Sequence, residues 1–396
     1  MSLKLKKLLS KRARRRRLPA RPRILVAQSW WQDRLLEGVA QYAAENNWVL
    51  DCEMRWAHRV PVADEWNGEG VIAYVGITKP MKPLIDFLRH QSAPVVLAQP
   101  PGPEFNYPSV IIPHEEVGRA AAEHLLTLGF RHFGFVDFAD NVMERERCAG
   151  FRSTVERAGH NCQLVHFREL AQRLGRLPQP MALFAINDLN ALSVMRVCLD
   201  GGYRVPEQFA IVGADNTEIL CKFAPVPLSS VNCNFEKQGY EAAALLHRLM
   251  RGARPPAQSL VISPNGVTAR RSTDTIAIPD ADAMRALRFL RDHYREPIHL
   301  PQIGPLLAQS FRRVQIQFRE HTGRTLFQEL VRLRVEHAKE LLKNPKMKMT
   351  QVAAESGFGN RHHFIRAFRR TTGKTPRAYR TELHFSDKRQ SVDVEI

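Results

Sequence analysis

Between Arg23 and about residue 270, the chain alternates short apolar runs with stretches of helical spacing. The apolar runs are rich in β-branched residues and include RILVAQ, GVIAYV, PVVLAQ, HFGFVDF, MALFAIND and FAIVGADN. Between them, apolar residues recur three or four positions apart, as Leu35, Val39 and Tyr42 do. Strands that are apolar throughout and alternate with helices indicate parallel sheets covered on both faces. About ten such strands exceed one compact sheet, so the pattern predicts an α/β body of two lobes.

The alternation stops at 271–283, and only helical spacing follows it. We expect a linker at this point and an all-α domain over 284–383. The body is assigned to 24–270. Residues 1–23 are expected to form a basic disordered tail, and residues 384–396 an unpacked C-terminal tail.

Two segments of the helical region, 298–323 and 348–373, resemble each other. Each predicts a short helix, a tight turn and a second helix. The second helices share a capping residue, two apolar residues four apart and a terminal glycine: Ser310, Val314, Phe318 and Gly323, and Asn360, Phe364, Phe368 and Gly373. Their other faces carry Arg, Gln and His. Two helix-turn-helix units with basic second helices suit the major groove of DNA, and a plain helical bundle with exposed arginines is the alternative.

A long amphipathic helix over 325–343 is predicted between the two units. At ~1.5 Å per residue it spans just under ~30 Å. That length suits two recognition helices about one DNA turn, ~34 Å, apart on the same face of the duplex.

Charge is concentrated at the two ends of the chain. The formal net charge is +18; residues 1–23 hold 11 Lys and Arg without an acid, and residues 281–383 hold 21 against 9 Asp and Glu. A mildly acidic middle between basic ends is typical of a regulator that touches a polyanion with its ends, although a basic stretch can also be a solvated face.

Other classes of protein fit the composition poorly. Hydrophobic residues make up 44% and charged residues 25% of the 396 residues, which is ordinary globular composition. No apolar run approaches the ~18 residues that cross a bilayer, and the basic N-terminus lacks the apolar stretch of a signal peptide. The six cysteines lie far apart, which fits a reducing compartment rather than disulfides or zinc. We expect a cytoplasmic protein without membrane contact.

Catalytic and metal motifs are missing from the sequence. Residues 371–375, TTGKT, imitate the end of a P-loop, but Phe368 stands where the loop needs a glycine. No HExxH, GxSxG or GxGxxG occurs. The neighbours His362 and His363 point to different faces of a helix and make a poor metal pair. We expect no enzyme, no cofactor and no metal.

Four stretches of the helical region match a known pattern: SFRRVQIQF, HTGRT, RLRVE and GFGNRHHFIRAFRRTTGKTPRAYR. On these residues, 284–383 resembles the DNA-binding domain of AraC/XylS-type regulators, which implies two helix-turn-helix motifs on double-stranded DNA. The resemblance implies base contacts by Arg312, Gln315, Arg361, His362 and Arg366, phosphate contacts by Arg319, Arg369 and Lys374, and a further DNA contact by Arg313. The pattern has a basic residue near Ile316, and this chain departs from it there.

The body carries a second set of matching stretches, in order: RILVAQ, DRLLEGV, EEVGRAAAEHL, RCAGF, IND, VGADN and LSSV. They resemble the periplasmic-binding-protein-like core of LacI-type regulators. In such a fold the ligand lies between the lobes at the strand ends. The pattern commonly has an Asp near His114. Candidate ligand contacts are Trp30, Trp31, Asp33, Arg34, Arg147, Asp188, Asp215 and Asn216.

Packing offers an alternative role for some of these residues. Asp33 and Asp188 stand at predicted helix starts, where a capping or hinge role is the alternative to ligand contact. Trp30 and Trp31 could stack on a sugar or only pack.

The leading interpretation is a transcriptional regulator, expected to be an activator, that responds to a small-molecule effector such as a pentose sugar. Double-stranded DNA, the effector, a second copy in a homodimer and, for an activator, RNA polymerase are the expected partners. A solute-binding component of a sugar transporter needs the same two-lobed core and is the alternative, but it would not need the basic helices. An enzyme on a two-lobed scaffold is a third possibility.

Overall fold

The computed structural model describes residues 18–29, 32–54, 60, 66–75, 82–100, 107–275, 280–342 and 344–381. The chain forms two compact units, Met1–Thr275 and Ile276–Ile396, called here the body and the helical unit. Most of the predicted basic tail, up to residue 17, and the predicted tail from residue 384 lie outside the described residues.

Strands of the body form two main sheets. The strands are β1 (Arg23–Gln28), β2 (Val49–Asp51), β3 (Gly70–Tyr74), β4 (Val95–Leu97), β5 (Val110–Ile111), β6 (His132–Asp137), β7 (Cys162–His166), β8 (Met181–Ala185), β9 (Phe209–Ala214), β10 (Ser229–Val231), β11 (Leu260–Val261) and β12 (Val267–Thr268). The first lobe is built on a parallel sheet in the order β2-β1-β3-β4. The second lobe is built on β12-β10-β9-β8-β6-β7, parallel except for β12. A short parallel pair, β5 and β11, completes the set.

Helices of the body fill the intervals between strands, as the sequence pattern predicts. They are α1 (Asp33–Glu45), α2 (Lys82–His90), α3 (His114–Thr127), α4 (Val142–Arg157), α5 (Phe167–Arg173), α6 (Asp188–Asp200), α7 (Glu218–Phe223) and α8 (Phe235–Met250). Every residue of β8 and β9 is buried. Strands covered on both faces cannot alternate apolar and polar residues, which explains their continuous apolar runs.

Helix α8 connects the two lobes. It follows β10 of the second lobe in sequence but packs against α1 and β3 of the first lobe. Gly38 in α1 and Gly239 in α8 allow this close approach, because a Cβ atom at Gly38 would lie 1.8 Å from the carbonyl oxygen of Glu236. The chain therefore passes between the lobes more than once.

The helical unit contains α9 (Ala281–His293), a 3-10 helix (Leu300–Leu306), α10 (Phe311–Thr322), α11 (Leu326–Leu342), α12 (Met349–Glu355), α13 (Arg361–Thr372) and a short helix at 376–381. It has two apolar cores, one for each helix-turn-helix motif. Leu326, Leu330 and Leu333 of α11 belong to the first core, and Val335 and Ala338 to the second. The 17 residues of α11 span about 25 Å at ~1.5 Å per residue. Helix α11 thus contributes residues to the cores of both motifs.

The segment around the predicted linker differs from the expectation. Ser272 and Thr273 are buried in the body, and the Ser272 hydroxyl donates to the carbonyl oxygen of Ile211 at 2.6 Å. Helix α9 already begins at Ala281, because the Asp280 side chain caps it by accepting from the Ala283 N–H at 2.7 Å. The stretch between folded elements is therefore shorter than 271–283.

Elsewhere in the helical unit, the first predicted short helix is a 3-10 turn. Pro301 and Pro305 lie within it and have no N–H to donate, which disfavours a regular α-helix. None of the described helices is long and apolar enough to cross a membrane.

Candidate ligand site and DNA-binding surface

Polar side chains stand at the carboxyl ends of parallel strands in both lobes. Gln28 ends β1 and Tyr74 ends β3 in the first lobe, while Asp137 ends β6 and Asp215 follows β9 in the second. Ligands of open α/β sheets bind beyond these strand ends. The residues therefore mark the candidate ligand site of the body.

An ion pair between Arg147 of α4 and Asp215 forms the centre of this site. Arg147 Nη2 lies 3.1 Å from Asp215 Oδ1, and the Arg147 side chain is only 1% exposed. The same nitrogen donates to Cys233 Sγ at 3.7 Å, and Nη1 donates to the carbonyl oxygen of Ile186. Asp215 adopts a φ of 99°, which is uncommon for a residue with a side chain. The guanidinium and the carboxylate are thus held in fixed positions.

Two groups that interact electrostatically with the ion pair are neutral at physiological pH. Burial, with a further contribution from Asp215, raises the pKa of the Tyr74 phenol to about 12. Burial and the charge of Arg147 lower the pKa of the His114 imidazole to about 3. Because Tyr74 belongs to the first lobe and Asp215 to the second, this electrostatic interaction reaches from one lobe to the other.

Four buried polar atoms here have no hydrogen-bond partner among the described residues: Gln28 Nε2, His114 Nδ1, Asp137 Oδ1 and Arg147 Nε. The other ends of two of these side chains are engaged, since Gln28 Oε1 accepts from the Gln32 N–H at 2.8 Å and Asp137 Oδ2 lies 2.8 Å from His166 Nδ1. Buried polar atoms are normally satisfied. A polar ligand with both donors and acceptors would complement this set.

Arg34 contacts both lobes. From α1 its Nη1 donates to the carbonyl oxygen of Asn216 at 3.4 Å, and its Nη2 donates to Glu236 Oε2 at 2.8 Å. Its neighbour Asp33 is exposed in the first turn of α1. The predicted ligand contacts of Trp30 and Trp31 lie outside the described residues.

Asp188 supports the loop that carries Asp215. It is 1% exposed; Oδ2 accepts from the Thr217 N–H at 2.7 Å, and Oδ1 accepts from the Ser230 hydroxyl. Burial, with a further contribution from Asp215, raises the pKa of the Asp188 carboxyl to about 7. Both oxygens are engaged with the loop and β10, so the contacts of Asp188 are those of a structural group. Its predicted ligand contact stays a prediction.

The predicted ends of α10 and α13 are confirmed. Ser310 Oγ accepts from the Arg313 N–H at 3.4 Å, and Asn360 Oδ1 accepts from the His362 N–H at 2.7 Å. Each helix ends at a glycine in the left-handed region, Gly323 with a φ of 67° and Gly373 with a φ of 76°. Two helices with the same caps and the same length of 12 residues follow from the sequence repeat.

Two buried residues, four apart, orient each of these helices: Val314 and Phe318 in α10, and Phe364 and Phe368 in α13. In an α-helix, the position midway between such a pair points to the opposite side. Ile316 and Arg366 hold this outward position.

Nearly all of the residues predicted to contact DNA are exposed: Arg312, Arg313, Arg319, Arg361, His362, Arg366, Arg369 and Lys374. Gln315 is half-buried on the flank of α10. Arg361 occupies the position in α13 that Phe311 occupies in α10, and Phe311 packs towards the first core. His362 and Arg366 therefore lie closer than Arg361 to the outward side of α13. The individual DNA contacts stay predictions.

Several residues of both sites were not predicted from the sequence. Gln28 and Tyr74 each end a buried apolar run, which was the available signal. His114 was noted only as a departure from a pattern, and so was Ile316. The described residues include no group of three or more His, Cys, Asp or Glu that could hold a metal ion.

Comparison with known protein families covers both units. A model of the periplasmic binding protein-like domain matches residues 122–273. A model of the helix-turn-helix domain matches residues 306–382.

Two curated relatives resemble this chain along most of its length. The xylose operon regulatory protein of Escherichia coli strain K12 is 27% identical over 382 residues, which cover 89% of this chain and 95% of the relative. The protein of the same name from Haemophilus influenzae is 23% identical over 378 residues, which cover 89% and 96%. These relatives are transcriptional regulators and not enzymes.

Solved structures show the same fold. A xylose-binding transcription activator matches with a TM-score of 0.69 at 24% identity and covers 92% of this chain and 99% of its own. A transcriptional regulator in complex with cellobiose matches with a TM-score of 0.52 at 24% identity, over 68% and 88%. Together with the paired helix-turn-helix motifs, these findings show that the chain is a DNA-binding transcriptional regulator that combines a periplasmic binding protein-like domain with a helix-turn-helix domain.

Proposed function

We propose that this regulator binds a sugar, such as a pentose, between the two lobes of the body, and that the sugar controls DNA binding. The observation that carries the proposal is the buried ion pair of Arg147 and Asp215 at the strand ends. Charged and amide groups of this kind bracket vicinal hydroxyls by accepting from one and donating to the next. The names of the relatives, which refer to xylose and cellobiose, support a sugar as the ligand.

The proposed contacts divide between the lobes. Arg147 Nε and Asp215 would serve the ligand from the second lobe, and Gln28 Nε2 and Tyr74 from the first. Trp30 or Trp31 would supply an apolar surface against the sugar ring. A ligand held from both sides favours the state in which the lobes are close together.

Four other predicted contacts have neighbours that suggest supporting roles. Arg34 and Asn216 bond to each other across the lobes. Asp188 braces the loop of Asp215, and Asp33 starts α1. We place these residues around the ligand rather than against it.

The remaining parts of the proposal concern assembly. Residues 24–270 are assigned to the sensor and 284–383 to the DNA-binding domain. We propose a homodimer in the cytoplasm, where the chromosome is accessible, and contact with RNA polymerase when the regulator activates transcription. Ligand binding would change how the helix-turn-helix pairs of two protomers are placed on DNA, by a coupling free energy of ~1–3 kcal/mol.

A thermal-shift screen of pentoses, hexoses and sugar acids on the full chain tests the ligand. Binding to the folded state adds about 2.7 kcal/mol of stability at a concentration of 100 Kd. A sugar that stabilises the protein should do so for Asp140→Asn, whose side chain is 86% exposed, but not for Asp215→Asn. If Asp215→Asn responds at the same sugar concentration as the wild type, the site lies elsewhere.

A further inference from the structure

Ile316 is an apolar side chain at the outward position of a basic helix. It is 50% exposed, whereas Val314 and Phe318 on the other side of α10 are fully buried. Burial in the protein's own core therefore does not explain an isoleucine at this position. A contact outside the chain would.

The surroundings of Ile316 are polar, with more basic than acidic side chains. A surface depression of about 390 Å³ is lined by Ser310, Arg312, Arg313, Ile316, Gln317 and Glu320. One turn away on the same face, Arg319 is also exposed. An apolar protein surface would be a poor partner for this face, because arginines surround the single apolar side chain. A better partner is a polyanion that also offers one apolar group.

The second motif differs at this position. Arg366 of α13 occupies the place that Ile316 holds in α10, since both lie midway between the two buried anchors of their helix. An arginine in the major groove recognises guanine through its O6 and N7 atoms, which isoleucine cannot do because it has no donor. The two motifs therefore present different chemistry to DNA.

Thymine is the base that offers an apolar group in the major groove, the methyl group on C5. We propose that Ile316 contacts the C5 methyl group of a thymine in the DNA segment bound by the first motif, and so determines sequence preference there. The second motif, with Arg366 outward, selects a guanine. One chain thus recognises an asymmetric pair of half-sites.

The test removes the methyl group from DNA and the side chain from the protein, separately and together. A duplex is first selected from a randomised library by the full chain. Each thymine of that duplex is then replaced singly by deoxyuridine, which lacks only the methyl group. Affinities of the wild type, Ile316→Ala and Phe327→Ala are measured by fluorescence anisotropy. Phe327 is a matched control because it is a 55% exposed apolar residue that belongs to α11 and not to α10.

We expect one thymine at which deoxyuridine lowers wild-type affinity about fourfold, the equivalent of about 0.8 kcal/mol for a group of methyl size. Ile316→Ala should bind the thymine and deoxyuridine duplexes equally, while Phe327→Ala keeps the fourfold difference. Ile316→Arg should change the preferred base at that position from thymine to guanine.

Two results would overturn the proposal. One is a wild type that tolerates deoxyuridine at every thymine. The other is an Ile316→Ala variant that retains the full deoxyuridine penalty.

Discussion

Arg270 Nη2 donates a hydrogen bond of 2.8 Å to Asn216 Oδ1, and this bond joins the loop of the ion pair to the end of the body. Asn216 directly follows Asp215, and Arg270 directly precedes the 3-10 helix Arg271–Thr273, after which the chain leaves the body. Arg270 Nη1 also donates to the carbonyl oxygen of Leu228 at 2.8 Å. If a ligand displaces Asp215, this hydrogen bond therefore connects the movement to the segment that leads to the helical unit.

This route predicts that Arg270→Ala uncouples the ligand from DNA. Charge-assisted hydrogen bonds of this kind contribute about 1.5–3 kcal/mol, which is the size of typical coupling free energies. The variant should bind sugar and, without sugar, DNA as the wild type does, but the sugar should no longer change DNA affinity. Arg271→Ala, an exposed neighbour, is the control. Anisotropy titrations with and without sugar measure the effect; an unchanged sugar response would refute this route.

His114 predicts an acid sensitivity of the body. Burial and Arg147 hold its pKa at about 3, below the value of ~6.5 in an unfolded chain, so between these values only the unfolded state takes up the proton. Its stabilising contribution is thus complete above ~6.5 and falls by ~1.4 kcal/mol per pH unit below it. Urea unfolding between pH 5 and 7 should show a shallower decline for His114→Gln. The exposed His132→Gln serves as the control, and equal slopes in all three proteins would contradict the prediction.

Replacement of Phe318 or of Phe368 is expected to destabilise only the motif that contains it. Both are fully buried, but they belong to different cores. Replacement of either by alanine should cost about 3–5 kcal/mol, as for other buried aromatic residues. Hydrogen exchange should show lost protection in α10 for Phe318→Ala and in α13 for Phe368→Ala. Equal loss in both helices would mean that the helical unit unfolds as one cooperative unit.

Arg366 and Arg369 predict different kinds of DNA contact. Arg366→Ala should cost roughly 1–3 kcal/mol and relax base preference at one or two positions, because the side chain points outward. Arg369→Ala should weaken binding to all sequences alike and reduce the slope of log K against log salt by about 0.9, since one phosphate contact is lost. Competition assays over a salt series separate the two effects. A uniform loss for Arg366→Ala would identify it as a phosphate contact instead.

The sequence alone determined the elements and the order of the two units. Apolar runs located β1, β3, β6, β8 and β9 within a few residues, and helical spacing located α1, because period is a local property of the chain. The repeat at 298–323 and 348–373 likewise fixed the caps and buried anchors of α10 and α13. Even Arg147 and Asp215 were named, although only as members of a pattern.

Tertiary structure decided which of these residues meet. Arg147 and Asp215 lie 68 positions apart, and only the folding of the body brings the Arg147 side chain of α4 to 3.1 Å from the residue that follows β9. The buried state of His114 and the bracing role of Asp188 also depend on neighbours distant in sequence. Sequence spacing carries no information on such contacts, because burial and electrostatics are properties of the folded surroundings of a side chain.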